Sequence, residues 1–513
     1  MTAKARGVGL IGIDGCLVEV QVGRADGMPG IDLTGLPTAS LRESRHRVRA
    51  AMRASGYSWP DERLVANFAP ADVPKSGTAF DLPLAVALMA HFDIIPKAAA
   101  ESAVFYGELG LDGAVRAVPG AINAALATRR RSRRVLYVPR QNASEAALVP
   151  DVEVYPVGSL VEVAQALLGE QTLSRAEPRS HDTRDPGVPD LRHVRGQMRA
   201  RRALEVAAAG GHNLLMVGPP GCGKTLLARA MPGILPPLTL DEALEVTRIH
   251  SVSGLLDPGA PLCRTRPFRA PHATASYAAL VGGGSSPRPG EVSLAHGGVL
   301  FLDEVAEFGR HALEALRAPL EDRVVRVSRS RRSVVFPASF SLLAAMNPCP
   351  CGHAGDPTRP CRCGKSRIEA YQQRISGPLL DRIDIHVALS GVPPEELASR
   401  PEGEPSSDVR KRVVAARARQ AERNRAGEGS VTNAGLDLEG LEHHAPLGPE
   451  ESLYLARAGR RLGISARAWH RIVRVARTVA DLGGAERITR AHLAEALTYR
   501  RRAPGQVDLQ VVA

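Results

Sequence analysis

Aromatic residues are scarce in this 513-residue chain, 4% of the total with two tryptophans. Its cores must therefore be built from alanine, valine, leucine and isoleucine. Long apolar runs are missing too. The longest, residues 82–90, falls far short of the ~20 residues that span a bilayer, so no membrane segment is expected. The apolar stretch at residues 8–13 is short, broken by glycine and followed at once by Asp14, which does not make a secretory signal. Cysteines number seven, and an odd count argues against the disulfide framework of a secreted domain. The expected location is the cytoplasm. The chain shows no internal repeat, and no low-complexity tract beyond clusters of arginine.

What is present is ordinary for a soluble globular protein, with 44% apolar and 23% charged residues. At about 150 residues per domain, the length suggests three or so domains. Basic residues exceed acidic ones by 66 to 54, a net charge of +12. That balance suits a polyanionic partner, and a generally basic surface would give the same figure.

Hydrophobic spacing divides the chain. Residues 1–170 read as α/β, with strands over 15–22, 31–34, 64–67, 103–107 and 134–138 and helices over 39–55, 82–91, 117–130 and 160–168. Five arginines fall within residues 129–134, a run that marks either a solvated helix end or a nucleic-acid contact. Residues 171–190 have no periodicity and several prolines, the composition of a linker. Residues 191–392 form the central unit. Residues 393–513 open with prolines and acids, then show helical spacing over 408–425, 449–462, 466–481 and 489–501.

The central unit opens on Gly218-Pro219-Pro220-Gly221-Cys222-Gly223-Lys224-Thr225, set between the apolar run 214–217 and a helical stretch. Strand, glycine-rich turn and helix are the context of a phosphate-binding loop. The glycines let successive N–H groups converge on a polyphosphate, and the helix start adds the positive end of its dipole. Lys224 is expected on the β- and γ-phosphates of a nucleoside triphosphate, and Thr225 on Mg²⁺. About 75 residues later, the apolar run 299–302 ends in Asp303-Glu304. Acids at the carboxyl end of a buried strand sit where open α/β sheets bind ligands. Asp303 is expected to hold Mg²⁺, and Glu304 to polarise the attacking water. A further apolar stretch, 339–346, ends at Asn347, whose amide could bond that water. Leu379-Leu380-Asp381-Arg382-Ile383-Asp384 follows, with one arginine between two acids.

These motifs, with the Asn347-Pro348-Cys349-Pro350-Cys351-Gly352 run, resemble the magnesium-chelatase-like AAA+ ATPases, and within them the YifB/ComM family, over nearly the whole chain. The resemblance implies an AAA+ phosphate-loop core with a parallel sheet, a Lon-protease-like α+β domain before it, and an all-helical lid after it. It makes Asn347 the first sensor, Arg382 an arginine finger reaching the neighbouring subunit, and Arg467 the second sensor, with Arg471 as rival. A finger acting in trans requires a ring, and the family implies a homo-hexamer. It also implies DNA as substrate, branch migration in recombination and natural transformation, and recombination proteins as partners. The rival class is a chelatase-type motor acting on a protein partner.

Three further stretches stand out. Residues 323–332 hold five arginines and no acid, with valines alternating on both sides as in a β-hairpin. In relatives a hairpin here projects into the ring pore, where Arg326, Arg329, Arg331 and Arg332 would grip DNA phosphates without reading sequence; a solvated hairpin is the other reading. Residues 268–291, with three consecutive glycines, read as a mobile substrate loop or a plain surface loop. Cys349, Cys351, Cys361 and Cys363 form two C-x-C pairs that suit structural Zn²⁺, with His353 as a possible substitute ligand, or stand as free or redox-active thiols. Finally, Asp81-Leu82-Pro83-Leu84-Ala85 falls where Lon proteases carry their nucleophile, and Ile122 stands at the lysine's place. Without a hydroxyl and a base, peptide hydrolysis has no route, and the domain is expected to serve as an interaction or DNA-entry collar.

Overall fold

The computed structural model describes residues 2–500 except 36–38, 60, 72, 74, 76, 131–133, 179–186, 258–259, 285–286, 330–331, 357–358, 393–402 and 425–431, and the side chains of 39, 40, 329 and 332. The fold is mixed α/β with a parallel sheet in its central part and helices in its C-terminal part, the class the sequence implies.

The N-terminal part is a seven-stranded sheet in the order Gly30–Thr34, Arg63–Ala69, Asp14–Ala25, Ala3–Ile11, Val104–Phe105, Val135–Pro139 and Glu153–Val157. Sequence spacing misses the strand Ala3–Ile11, because glycines interrupt it. The structure gives the reason. A Cβ at Gly7 would fall 2.8 Å from Pro83 Cγ, so the strand lacks side chains where the helix Asp81–His91 presses on it. That helix is buried from Asp81 to Ala90, which explains an apolar run with no polar face. Leu84 and Ile122 are both fully buried, and neither offers a reactive group.

The central part is a five-stranded sheet in the order Phe268–Arg269, Val299–Leu302, Ser341–Met346, Leu214–Val217 and Ile385–Ala388. All its pairings are parallel. Every residue of Val299–Leu302 and Ser341–Met346 is buried, as expected of strands covered on both faces. Parallel strands share one carboxyl rim, and residues 218, 303 and 347 all follow strand ends on that rim.

The helices Ser406–Arg423, Leu438–His444, Pro449–Leu462, Ala466–Leu482 and Arg490–Thr498 make up the C-terminal part. Val409, Val413 and Ala416 join Ala203, Val206 and Leu227 in one apolar cluster, so lid and sheet share a core. A buried polar network reinforces this junction. His212 Nε2 lies 2.8 Å from Thr478 Oγ1 and its Nδ1 lies 3.1 Å from Asp384, while Asp481 accepts from Arg423 and Arg477.

The N-terminal sheet is tied to the central part by the turn between its first two strands. Ile13 packs with Val325, Val334 and Phe336, Asp14 accepts from Arg248 at 3.0 Å, and Ser251 donates to the buried Glu145. Among the described residues, no helix is long and apolar enough to cross a membrane.

Candidate functional site

The strand Leu214–Val217 turns at Gly218 into the loop and then the helix Lys224–Ile234. A Cβ at Gly218 would fall 2.8 Å from the Leu389 carbonyl oxygen, so only glycine fits that approach. Gly221 and Gly223 have φ of +75° and +92°, with open space where side chains would stand. Glycine adopts such backbone freely, and it leaves the N–H groups uncovered.

Lys224 is buried, and its ammonium donates to Gly218 O at 2.7 Å, Pro219 O at 2.9 Å and Asn347 Oδ1 at 3.2 Å. All three acceptors are neutral. A buried cation without a carboxylate is costly unless an anion completes it, and that matches a polyphosphate. Thr225 Oγ1 donates to Asp303 Oδ2 at 2.8 Å, so hydroxyl and carboxylate converge as a pair of hard oxygen donors suited to Mg²⁺. The structure thus brings together Lys224, Thr225, Asp303 and Asn347, although they come from three separate strand ends.

Glu304 is exposed and left-handed, with φ 49° and ψ 45°, and its N–H donates to Asp303 Oδ1 at 3.0 Å. That backbone costs a non-glycine residue roughly 1–2 kcal/mol, and strain of this kind clusters at functional positions. Gln197, which sequence reasoning passed over, is also left-handed, at φ 54°. Its amide donates to Cys222 O at 3.2 Å and Ser390 O at 2.6 Å, clamping the phosphate loop to the end of the outer strand. The signal available was the Gly196-Gln197 pair just before a helix.

Arg382 lies elsewhere. It precedes the strand Ile385–Ala388, at the amino rim of the sheet, where a cavity of about 670 Å³ is lined by Asn213, Arg382, Arg467, Arg471 and Arg474 among others. Arg382 donates to Pro378 O at 2.7 Å and pairs with Glu321 at 2.6 Å, and its buried Nε has no partner among the described residues. Arg471 reaches Ile383 O at 3.1 Å and Asp381 at 3.3 Å, while Arg467 is exposed. Both sensor candidates of the lid therefore stand beside Arg382 and away from the chain's own phosphate loop.

The arginine-rich stretch is a hairpin of Val324–Arg329 and Arg332–Pro337 in antiparallel register. Val325 and Phe336 are buried, while Arg326 is exposed. Arg331 lies outside the described residues, as do the side chains of Arg329 and Arg332. The 268–291 stretch carries a short helix, Tyr277–Val281, and a small ribbon pairing Gly282–Gly283 with Arg288–Pro289. It is closed at its base by Arg269 pairing with Glu291 at 2.6 Å. Cys349, Cys351, Cys361 and Cys363 converge, all four sulfurs lying within 4.8 Å of one another. Backbone N–H groups of His353 and Arg362 pull the Cys351 thiol down to about 6, while, against a backbone N–H from Cys363, burial and the neighbouring thiols push Cys361 up to about 12.

The chain is similar to known proteins over nearly its whole length. The family described as magnesium chelatase, subunit ChlI, matches residues 190–397; subunit ChlI of Mg-chelatase matches 18–142, and its C-terminal family matches 403–500. The YifB protein of Salmonella typhimurium is 42% identical over 493 residues, covering 96% of this chain and 95% of its own. Competence protein ComM of Haemophilus influenzae is 42% identical over 497 residues, covering 96% of each. Lon protease 2 of Bacillus subtilis is 29% identical over 169 residues, 30% of this chain and 29% of its own. The chain belongs to the YifB/ComM family of magnesium-chelatase-like AAA+ proteins.

Proposed function

We propose that this chain is the subunit of a hexameric ring that hydrolyses ATP and uses it to move along DNA, as in branch migration during recombination or uptake of transforming DNA. The observation that carries the ATPase reading is the buried Lys224 ammonium, whose hydrogen bonds go to neutral oxygens and the Cys222 sulfur, beside Asn347, Thr225 and Asp303. On binding ATP, Lys224 exchanges its loop carbonyls for β- and γ-phosphate oxygens. Thr225 and Asp303 would hold Mg²⁺, which when bound would neutralise charge on the phosphate oxygens. Glu304, carried outward by its left-handed backbone, polarises the attacking water, and Asn347 orients it. Arg382 stabilises the charge developing on the nucleotide of the adjacent subunit, with Arg467 or Arg471 beside it; fingers of this kind contribute roughly 10³–10⁵ in rate.

DNA as substrate is supported by the hairpin. Its apolar face is buried in the central part's core beside Ile13 while Arg326 is exposed, and the relative ComM is named for competence. The matching families are described as magnesium chelatase, which favours a protein-remodelling motor as second reading. ATPase assays with forked DNA, single-stranded DNA and no nucleic acid separate the two. DNA should raise turnover several-fold; turnover indifferent to every DNA would favour the remodeller.

A further inference from the structure

We infer that Cys349, Cys351, Cys361 and Cys363 bind one Zn²⁺, and that the loaded knuckle seats the phosphate loop. The sulfur geometry is that of a metal site. Cys349 Sγ lies 3.3 Å from Cys351 Sγ and 3.7 Å from Cys361 Sγ, and Cys351 Sγ lies 3.6 Å from Cys361 Sγ. A disulfide needs about 2.05 Å, so these are not bonded pairs. A tetrahedron with Zn–S of about 2.3 Å has edges of about 3.8 Å, close to these separations. The backbone holds the sulfurs in place, since Ala354 N–H donates to Cys349 Sγ at 3.3 Å and Cys363 N–H to Cys361 Sγ at 3.4 Å. Oriented N–H donors of this kind fix the direction in which the sulfurs point. His353 is not drawn into the cluster; its Nδ1 lies 3.2 Å from Asp356.

The knuckle touches the nucleotide site at two points. Its first cysteine stands two residues beyond Asn347, with Pro348 between them, and Gln372 holds that proline's carbonyl at 3.0 Å. Inside the knuckle, Gly352 has φ +85°, and a Cβ there would fall 2.6 Å from Pro220 Cδ and 2.8 Å from its Cγ. The metal loop is thus seated directly on the second proline of the phosphate loop. Closing four thiolates on one ion would fix Gly352 against Pro220 and, through Pro348, the position of Asn347. Metal and nucleotide must then favour each other's binding by the same factor. This coupling rests on the nucleotide reading above; the metal content does not.

The test uses the full chain purified under reducing conditions. Elemental analysis should find about one zinc per chain, and Co²⁺ replacing it should give the intense visible bands of a tetrahedral tetrathiolate site. Absence of zinc together with no such spectrum would overturn the site. For the coupling, zinc affinity is measured by competition with a coloured chelator, with and without a non-hydrolysable ATP analogue. The analogue should tighten zinc by about fivefold or more, and Pro220→Ala should remove most of that gain. Equal zinc affinity with and without an analogue shown to bind would overturn the clamp. Failure of the analogue to bind the zinc-loaded chain would instead overturn the nucleotide reading, and the clamp with it.

Discussion

The side-chain amide of Asn213 donates to the main-chain oxygen of Arg382 at 2.8 Å. Asn213 stands just before the strand Leu214–Val217, whose other end turns into the phosphate loop. Four residues of strand separate the two, about 13 Å at ~3.3 Å per residue. Arg382 and Lys224 therefore occupy opposite rims of one sheet. An arginine so placed cannot serve the loop of its own chain, and it is free to serve another. Its buried Nε lacks a partner among the described residues, and its outer nitrogens rest on Pro378 and the half-exposed Glu321, contacts that a neighbour's phosphate could replace.

Glu304→Gln keeps the shape and the left-handed backbone problem of the native residue while removing the base. It should bind ATP normally and hydrolyse it roughly 10²–10⁴ times more slowly. Lys224→Ala should lose binding itself. A fluorescent nucleotide titration beside a phosphate-release assay distinguishes the two; hydrolysis by the glutamine variant near the native rate would remove Glu304 from the chemistry.

The hairpin yields a salt test. Replacing Arg326, Arg329 and Arg331 with alanine should weaken DNA binding across all sequences. It should also flatten the slope of log affinity against log salt by roughly 0.7–0.9 for each lost phosphate contact. Turnover without DNA should persist. An unchanged slope would shift attention to the run at Arg129–Arg134.

Glu145 links the N-terminal sheet to the central part, and burial raises its carboxyl above the usual glutamate range despite bonds from Ser251 and Ile122 N–H. A carboxyl whose pKa rises on folding contributes stability fully below the ordinary glutamate range. That contribution is lost as pH climbs through the raised value. Thermal melts should therefore show the native chain losing stability, relative to Glu145→Gln, as pH rises above the ordinary glutamate range. Parallel pH profiles for the two proteins would contradict this.

Much of the site was legible in the sequence because its chemistry demands local patterns. A phosphate loop needs glycines at set spacing, and Asp303 needs a buried strand before it. The hairpin and the cysteine pairs likewise announce themselves within about fifteen residues. What was not legible depends on the third dimension. The strand Ala3–Ile11 is hidden because Gly7 makes room for Pro83, a contact 76 positions away that no local pattern records. The left-handed turns at Gln197 and Glu304 are imposed by packing rather than by residue type. That the lid arginines stand with Arg382 and not with Lys224 follows from how the lid docks. The seat of Gly352 on Pro220 joins two motifs that the sequence separates.

Mixing Lys224→Ala chains with Arg382→Ala chains tests the central claim most directly. Each variant alone should hydrolyse little ATP, the first for want of binding and the second for want of a finger. In mixed rings, some interfaces pair an intact phosphate loop with an intact Arg382 from the next chain, so turnover should return well above either parent. If mixed rings demonstrably form and turnover stays at the level of the parents, Arg382 does not act on its neighbour's nucleotide.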